Sequence, residues 1–106
     1  MREIRWLREA EDELANIVTH VLLNQGESVA LEVYNNIISQ IDLLSEFPEL
    51  GTSDSKFKFK DNPLRVLHSK HTRVFYSIQD TSIEIILLWS NRMDDRKIRK
   101  ILSERN

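Results

Sequence analysis

The sequence contains no cysteine, and only two glycines and two prolines stand among its 106 residues. Without thiols there is no disulfide framework, no cysteine nucleophile and no thiolate zinc site, a usage that fits a reducing compartment. Two glycines cannot build a phosphate-cradling loop, and so little glycine and proline excludes repeats of fibrous or linker type. Long apolar runs are missing as well. The longest without a charge, Ile85 to Trp89, has five residues, against the roughly 20 that a membrane-spanning helix needs. The opening Met1-Arg2-Glu3-Ile4-Arg5-Trp6 has no apolar leader core. A cytoplasmic domain without membrane contact is expected. No His/Asp/Glu spacing resembles a metal site, Asp94-Asp95 alone being weak, so no metal or other cofactor is expected.

Charged residues make up 30% of the chain and apolar ones 41%, which places it among folded globular domains rather than disordered chains. The length suits one domain, residues 1–106. A net charge of −2 hides a strong asymmetry. Residues 1–55 hold three basic and eleven acidic side chains, a balance of −8, whereas residues 56–106 hold twelve basic and six acidic, a balance of +6. A polarised surface is expected, its basic side suited to phosphate or to an acidic partner.

Ile4 and Trp6 alternate in a short first strand over residues 2–6. The period then changes. Leu7, Ala10, Leu14, Ile17, Val18, Val21 and Leu22 recur at three- and four-residue steps, one face of an α-helix, with Glu9, Glu11, Asp12 and Glu13 in its dipole-favoured first turns. Gly26 suits its C-terminal position and Ser28 can cap the next helix. That second helix buries Ala30, Val33, Tyr34, Ile37, Ile38, Ile41 and Leu44, with Phe47 closing the stripe before Pro48 ends the hydrogen-bond ladder. A loop of about three residues makes the pair an antiparallel hairpin. Beyond a polar loop at Thr52–Ser55, Lys56, Lys58 and Lys60 alternate with Phe57 and Phe59. Residues 64–69, 72–79 and 82–90 read as extended, with a turn at Asp80-Thr81 and a short basic helix over residues 93–103. The order describes an α+β fold, an antiparallel β-sheet packed against an N-terminal α-helical hairpin; alternation of βαβ type is absent.

These residues resemble the RelE/ParE family, toxins of type II toxin–antitoxin modules. The ordered set that carries the resemblance is the helix ending in Pro48-Glu49-Leu50-Gly51, then Arg65, Arg73-Val74-Phe75-Tyr76, and an apolar strand closing at Trp89 before Arg92. It covers nearly the whole chain. The resemblance implies a four-stranded antiparallel sheet backed by the hairpin, a cognate antitoxin in a hetero-oligomer, and one of two targets. ParE-like members poison DNA gyrase; RelE-like members cleave mRNA on the ribosome.

Metal-free cleavage of that kind needs a base for the 2′-hydroxyl, cations for the phosphorane and an acid for the leaving oxygen. Arg73 and Arg92 match the family's arginines, with Lys58, Lys60 and Arg65 in support, and Arg65, Arg73 and Arg92 are the candidates for binding target or phosphate. The stretch after Arg92 lacks the tyrosine or histidine that RelE-like nucleases place there. Tyr34 and Tyr76 read as core residues, and His68 and His71 as exposed turn residues. Two helices of 17–20 residues and the acidic balance also resemble the ParE branch, so a non-catalytic, plasmid-stabilising toxin is the leading expectation. A ribosome-dependent endoribonuclease is the alternative, and a member that only binds its antitoxin is the third reading.

The strand from Ile83 to Trp89 is apolar on both faces, so the surface away from the hairpin needs a second cover, the C-terminal segment or another chain. Ile86 and Leu88 are on that basis the expected antitoxin-binding residues.

Overall fold

The computed structural model describes residues 1–70, 72–90 and 94–105. Among them run five strands and three α-helices: β1 (Glu3–Trp6), α1 (Arg8–Gln25), α2 (Glu27–Leu43), β2 (Thr52–Phe59), β3 (Asn62–His68), β4 (Thr72–Ile78), β5 (Ser82–Ser90) and α3 (Asp95–Arg105). A single 3-10 turn, Pro48–Leu50, separates α2 from β2. The sheet order is β1-β5-β4-β3-β2. Strands β2 to β5 form the expected antiparallel meander, and the α+β class is as expected. β1 adds a fifth strand, parallel to β5, so the whole sheet is mixed. Its place is held at both ends. Arg2 N donates to Ser45 O at 3.1 Å and Ser45 Oγ to Arg2 O at 2.5 Å, while Leu7 N donates to Ile85 O at 3.0 Å.

The helical hairpin turns on one residue. Gly26 has φ 93° and ψ 171°, a backbone region open only without a Cβ. Its N–H donates to Leu22 O and its carbonyl accepts from Ala30 N, each at 3.1 Å. The link is thus shorter than the three residues expected, and α2 starts at Glu27, ahead of the cap expected at Ser28. Ala10, Ile37, Ile41 and Leu44 are buried against the sheet as the helical period requires. The stripe is narrower than its sequence suggested. Leu22, Tyr34 and Phe47 are exposed, Tyr34 because it stands beside the buried arc rather than within it. Thr52–Ser55, read as a loop, belongs to β2, paired with β3 through Asp54 before the register shifts.

Each face of the sheet has its own core. The hairpin side gathers Leu67, Val74, Tyr76, Ile83, Ile85 and Leu88; the opposite side gathers Phe57, Phe59, Leu64, Val66, Phe75, Ile86 and Leu87 beneath Ile98 and Leu102 of α3. Simple alternation would put Leu87 with Ile83 and Ile85. A β-bulge breaks it: Phe75 pairs with Leu87 and Tyr76 with Ile85, leaving Ile86 as the extra residue. Ile86 and Leu87 therefore both face α3, and Leu88 returns to the hairpin side. Of the two covers expected for this face, the C-terminal segment or another chain, the chain's own tail supplies it. Ile86 and Leu88, the residues expected to meet an antitoxin, are core residues on opposite sides of the sheet in the free chain, Ile86 covered by α3 and Leu88 by the hairpin.

β1 pairs with β5 only as far as Ile85, so the outer edge of β5 beyond that point has no neighbouring strand among the described residues. Two side chains replace one. Glu13 Oε1 accepts from Leu88 N at 3.1 Å, and Arg105 Nη1 donates to Ile86 O at 2.9 Å. Arg105 also forms a two-pronged ion pair with Glu13, with side chains 12% and 13% exposed. The last turn of α3 is thereby bolted to α1 and to the bulge. Arg105→Ala leaves a largely buried carboxylate without its cation, at a cost of about 3 kcal/mol; urea unfolding is expected to show that loss, with part recovered by adding Glu13→Gln.

Candidate functional site

Arg65 lies on β3 opposite Tyr76 on β4, and both side chains turn to the hairpin side. There they clamp the turn that follows α2. Tyr76 Oη donates to Pro48 O at 2.6 Å and accepts from Gly51 N at 2.9 Å. Arg65 donates from Nε to Gly51 O at 3.0 Å and from Nη2 to Glu49 O at 3.3 Å. Burial pushes the Tyr76 hydroxyl above its usual pKa, against the opposing pull of the Gly51 hydrogen bond and the Arg65 charge. A Cβ at Gly51 would sit 2.8 Å from Tyr76 and 2.9 Å from the Val66 carbonyl, so the glycine is there for space. The guanidinium of Arg65 is committed to backbone carbonyls. The structure makes it a tie for the Pro-Glu-Leu-Gly turn.

Arg73 occupies the other face. Its register partners are His68 and Trp89, and it lies with Phe75, whose ring is 5.6 Å from the guanidinium carbon. Arg73 Nη1 donates to Asp95 Oδ1 at 3.1 Å at the start of α3, and Lys56 Nζ stands 3.6 Å from the other oxygen of the same carboxylate. Lys56 also reaches Asp54 at 3.9 Å. These residues and His68 line a cleft of about 170 Å³ floored by Phe57 and Val66. Asp95 is held below the ordinary carboxylate pKa, first by the Arg73 hydrogen bond and then by the charges of Arg73 and Lys56. Two cations from different strands thus converge on one anion supplied by the tail.

The remaining expected residues do not join either group. Phe57 and Phe59 turn under α3, which leaves Lys58 exposed on the outer strand and Lys60 exposed in the turn after it, 5.3 Å from the Phe59 ring centre. Arg92 and His71 lie outside the described residues. Arg65 and Arg73, expected together, are on opposite sides of the sheet. Asp95 and Glu13 were not foreseen, since nothing in their local sequence distinguishes them from solvated acids. No cluster of three or more metal-ligating side chains occurs among the described residues, and none of their helices is long and apolar enough to cross a membrane.

The charge asymmetry has a spatial meaning. The acidic half forms β1, the hairpin layer and the start of β2, and the basic half supplies the rest of β2, β3 to β5 and the outer layer, α3, where Arg96, Lys97, Arg99 and Lys100 are exposed. Every large exposed apolar side chain among the described residues lies in the acidic half, including Leu23 at 79%, Leu31 at 59% and Phe47 at 56%.

Two expectations follow from these contacts. Gly51→Ala overpacks the Tyr76 clamp and is expected to cost about 1–3 kcal/mol in urea unfolding, whereas unchanged stability would show the turn to be loosely held. For Asp95 the lowered folded pKa means that its contribution to stability is complete above the ordinary carboxylate value. It fades below about pH 4 and is lost once the pH falls through the lowered value. Acid unfolding of Asp95→Asn should lack that component.

Three comparisons bear on this architecture. A search of curated proteins finds no significant match. A solved chain of the chromosomal ParDE toxin–antitoxin system from P. aeruginosa is similar in fold, with a TM-score of 0.70 over 85% of this chain and 96% of that one at 20% identity. The family model of the ParE toxin of the type II toxin–antitoxin system parDE matches residues 4–95, from the first strand through the last and on to Asp95. The chain therefore belongs to the ParE family of type II toxins.

Proposed function

We propose that this toxin arrests growth by poisoning DNA gyrase, without chemistry of its own, and is neutralised by a cognate antitoxin in a hetero-oligomer. The observation that supports the non-catalytic part is the separation of Arg65 from Arg73. A nuclease centre must aim its cations at one phosphorane and place an acid and a base on either side of it. Arg65 instead holds a turn on one face of the sheet, and Arg73 holds Asp95 on the other. Tyr76 is buried and spent on two backbone groups, so it cannot serve as a proton donor. Membership of the ParE rather than the RelE family supports the same reading.

With Ile86 and Leu88 inside the core, the antitoxin needs another surface. The helical hairpin offers one. Leu31 and Tyr34 stand one turn apart on α2, both exposed, with partly buried Ile38 next along the same side. Leu22 and Leu23 lie near the end of α1, Phe47 just before the clamped turn and Leu50 within it. Covering such side chains gains about 25 cal/mol per Å² of apolar surface, and an amphipathic helix laid against them is the economical way to do it.

Purified toxin is expected to arrest gyrase supercoiling and to leave mRNA intact in a ribosome-programmed cleavage assay. Codon-spaced cuts that vanish in Arg73→Ala would replace this reading with the endoribonuclease. Inactivity in both assays with antitoxin affinity retained would leave a binding protein only. For the docking surface, Leu31→Asp is expected to weaken antitoxin binding at least about tenfold with unchanged thermal melting, in line with loss of one buried anchor.

A further inference from the structure

The basic layer has a different character from the hairpin. α3 turns Ile98 and Leu102 into the core, with Ile101 half-buried beside them. Arg96 and Lys100, four residues apart, share the outward side, flanked by Lys97 and Arg99; the exposed acids of this layer are Asp94, 3.9 Å from Arg96, and Glu104 one turn beyond Lys100, so the cations outnumber them. No large apolar side chain is exposed on this layer among the described residues. Protein partners anchor themselves through buried aromatic and aliphatic groups, whereas a nucleic-acid backbone is held by cations and hydrogen-bond donors without apolar anchors. The charge is also arranged around a seat. At the N-terminal end of α3 the Arg73–Lys56 pair grips a carboxylate that is itself 41% exposed, in a cleft that opens beside His68. Among the described residues, Asp54 and Asp95 are the carboxylates that face these two cations.

We propose that the α3 layer binds the phosphate backbone of nucleic acid, and that Asp95 occupies, within the chain, the seat that one backbone phosphate takes between Arg73 and Lys56. A carboxylate and a backbone phosphodiester each bring one negative charge to the seat, and the strand adds neighbouring phosphates within reach of the other cations. A bound strand sets its neighbouring phosphates against Arg96 and Lys100 while Asp95 rotates outward to solvent. The acidic hairpin layer lies on the far side of the sheet, which lets a chain with net charge −2 present a cationic face. This inference does not depend on which target the toxin attacks. A protein that engages DNA-bound gyrase and one that engages mRNA both meet a phosphate backbone.

The test is fluorescence anisotropy of labelled 20-base duplex DNA and single-stranded RNA with the purified full chain, across a salt series. Binding is expected to weaken with salt at a log–log slope of magnitude about 3. Arg96→Glu with Lys100→Glu reverses two exposed charges and is expected to lower affinity at least about tenfold without changing the melting temperature. Asp95→Asn leaves the Arg73–Lys56 seat cationic and is expected to tighten binding several-fold, with a slope steeper by about 1. The gain in affinity is the decisive sign, since a variant that merely damaged the fold would bind less. Inorganic phosphate at matched ionic strength should not displace the strand; displacement would mean that the seat serves the free anion. Failure to bind either nucleic acid at low salt, equal affinities for all three proteins, or capture of polyglutamate in place of DNA would overturn the proposal.

Discussion

The bulge at Ile86 in β5 is the constraint on which the rest of this molecule depends. By inserting one residue it turns two consecutive side chains, Ile86 and Leu87, toward the same face, and it enlarges the apolar surface there until a helix must cover it. It also leaves backbone groups of β5 beyond the reach of β1. Glu13 and Arg105 meet those groups with a carboxylate and a guanidinium, so the ends of the chain are joined across the sheet edge. An open edge of that kind invites pairing with another chain. Here it is filled from within.

A sheet closed on both faces leaves only its layers for recognition, and the two layers differ in chemistry. The hairpin is acidic and carries the exposed leucines and aromatics; α3 is basic and carries none among the described residues. The rigid turn at Pro48–Gly51 belongs to the first layer. Arg65 and Tyr76 reach through from the sheet to hold it, which fixes how Phe47 and Leu50 are displayed. The cation-rich seat around Asp95 belongs to the second. A single small domain can thus meet a protein on one side and a polyanion on the other.

Much of this was legible before any coordinates. The 3.6-residue period of α1 and α2, the stop at Pro48 and the alternation in β3 and β4 follow from local physics, and the ordered set of motifs around Pro48-Glu49-Leu50-Gly51 pointed to the right family. What was hidden depends on register. Nothing in Ile83–Trp89 marks where alternation slips, so the face of Leu87 and the fate of Ile86 and Leu88 were beyond reach. The roles of Arg65 and Arg73 were hidden for the same reason. They are separated by eight residues and a turn, and the strand pairing that places them on opposite faces exists only in three dimensions. Tyr34 shows a different limit, because an apolar residue at the margin of a helical stripe is buried or exposed according to the width of what packs on it. The clamp does leave a trace in the sequence: a glycine directly after a turn, with an arginine and a tyrosine on the next two strands, is the pattern of a clamped backbone.

In this toxin α3 is expected to stay closed on the sheet while the hairpin meets the antitoxin. Hydrogen exchange of the toxin, free and antitoxin-bound, read by mass spectrometry on peptides from α2, β5 and α3, addresses it directly. The account requires slower exchange in α2 and the turn after it on binding, with α3 and the Ile86–Leu88 amides unchanged. Faster exchange in α3 together with new protection along that part of β5 would mean that the tail is displaced by the partner, and would contradict it.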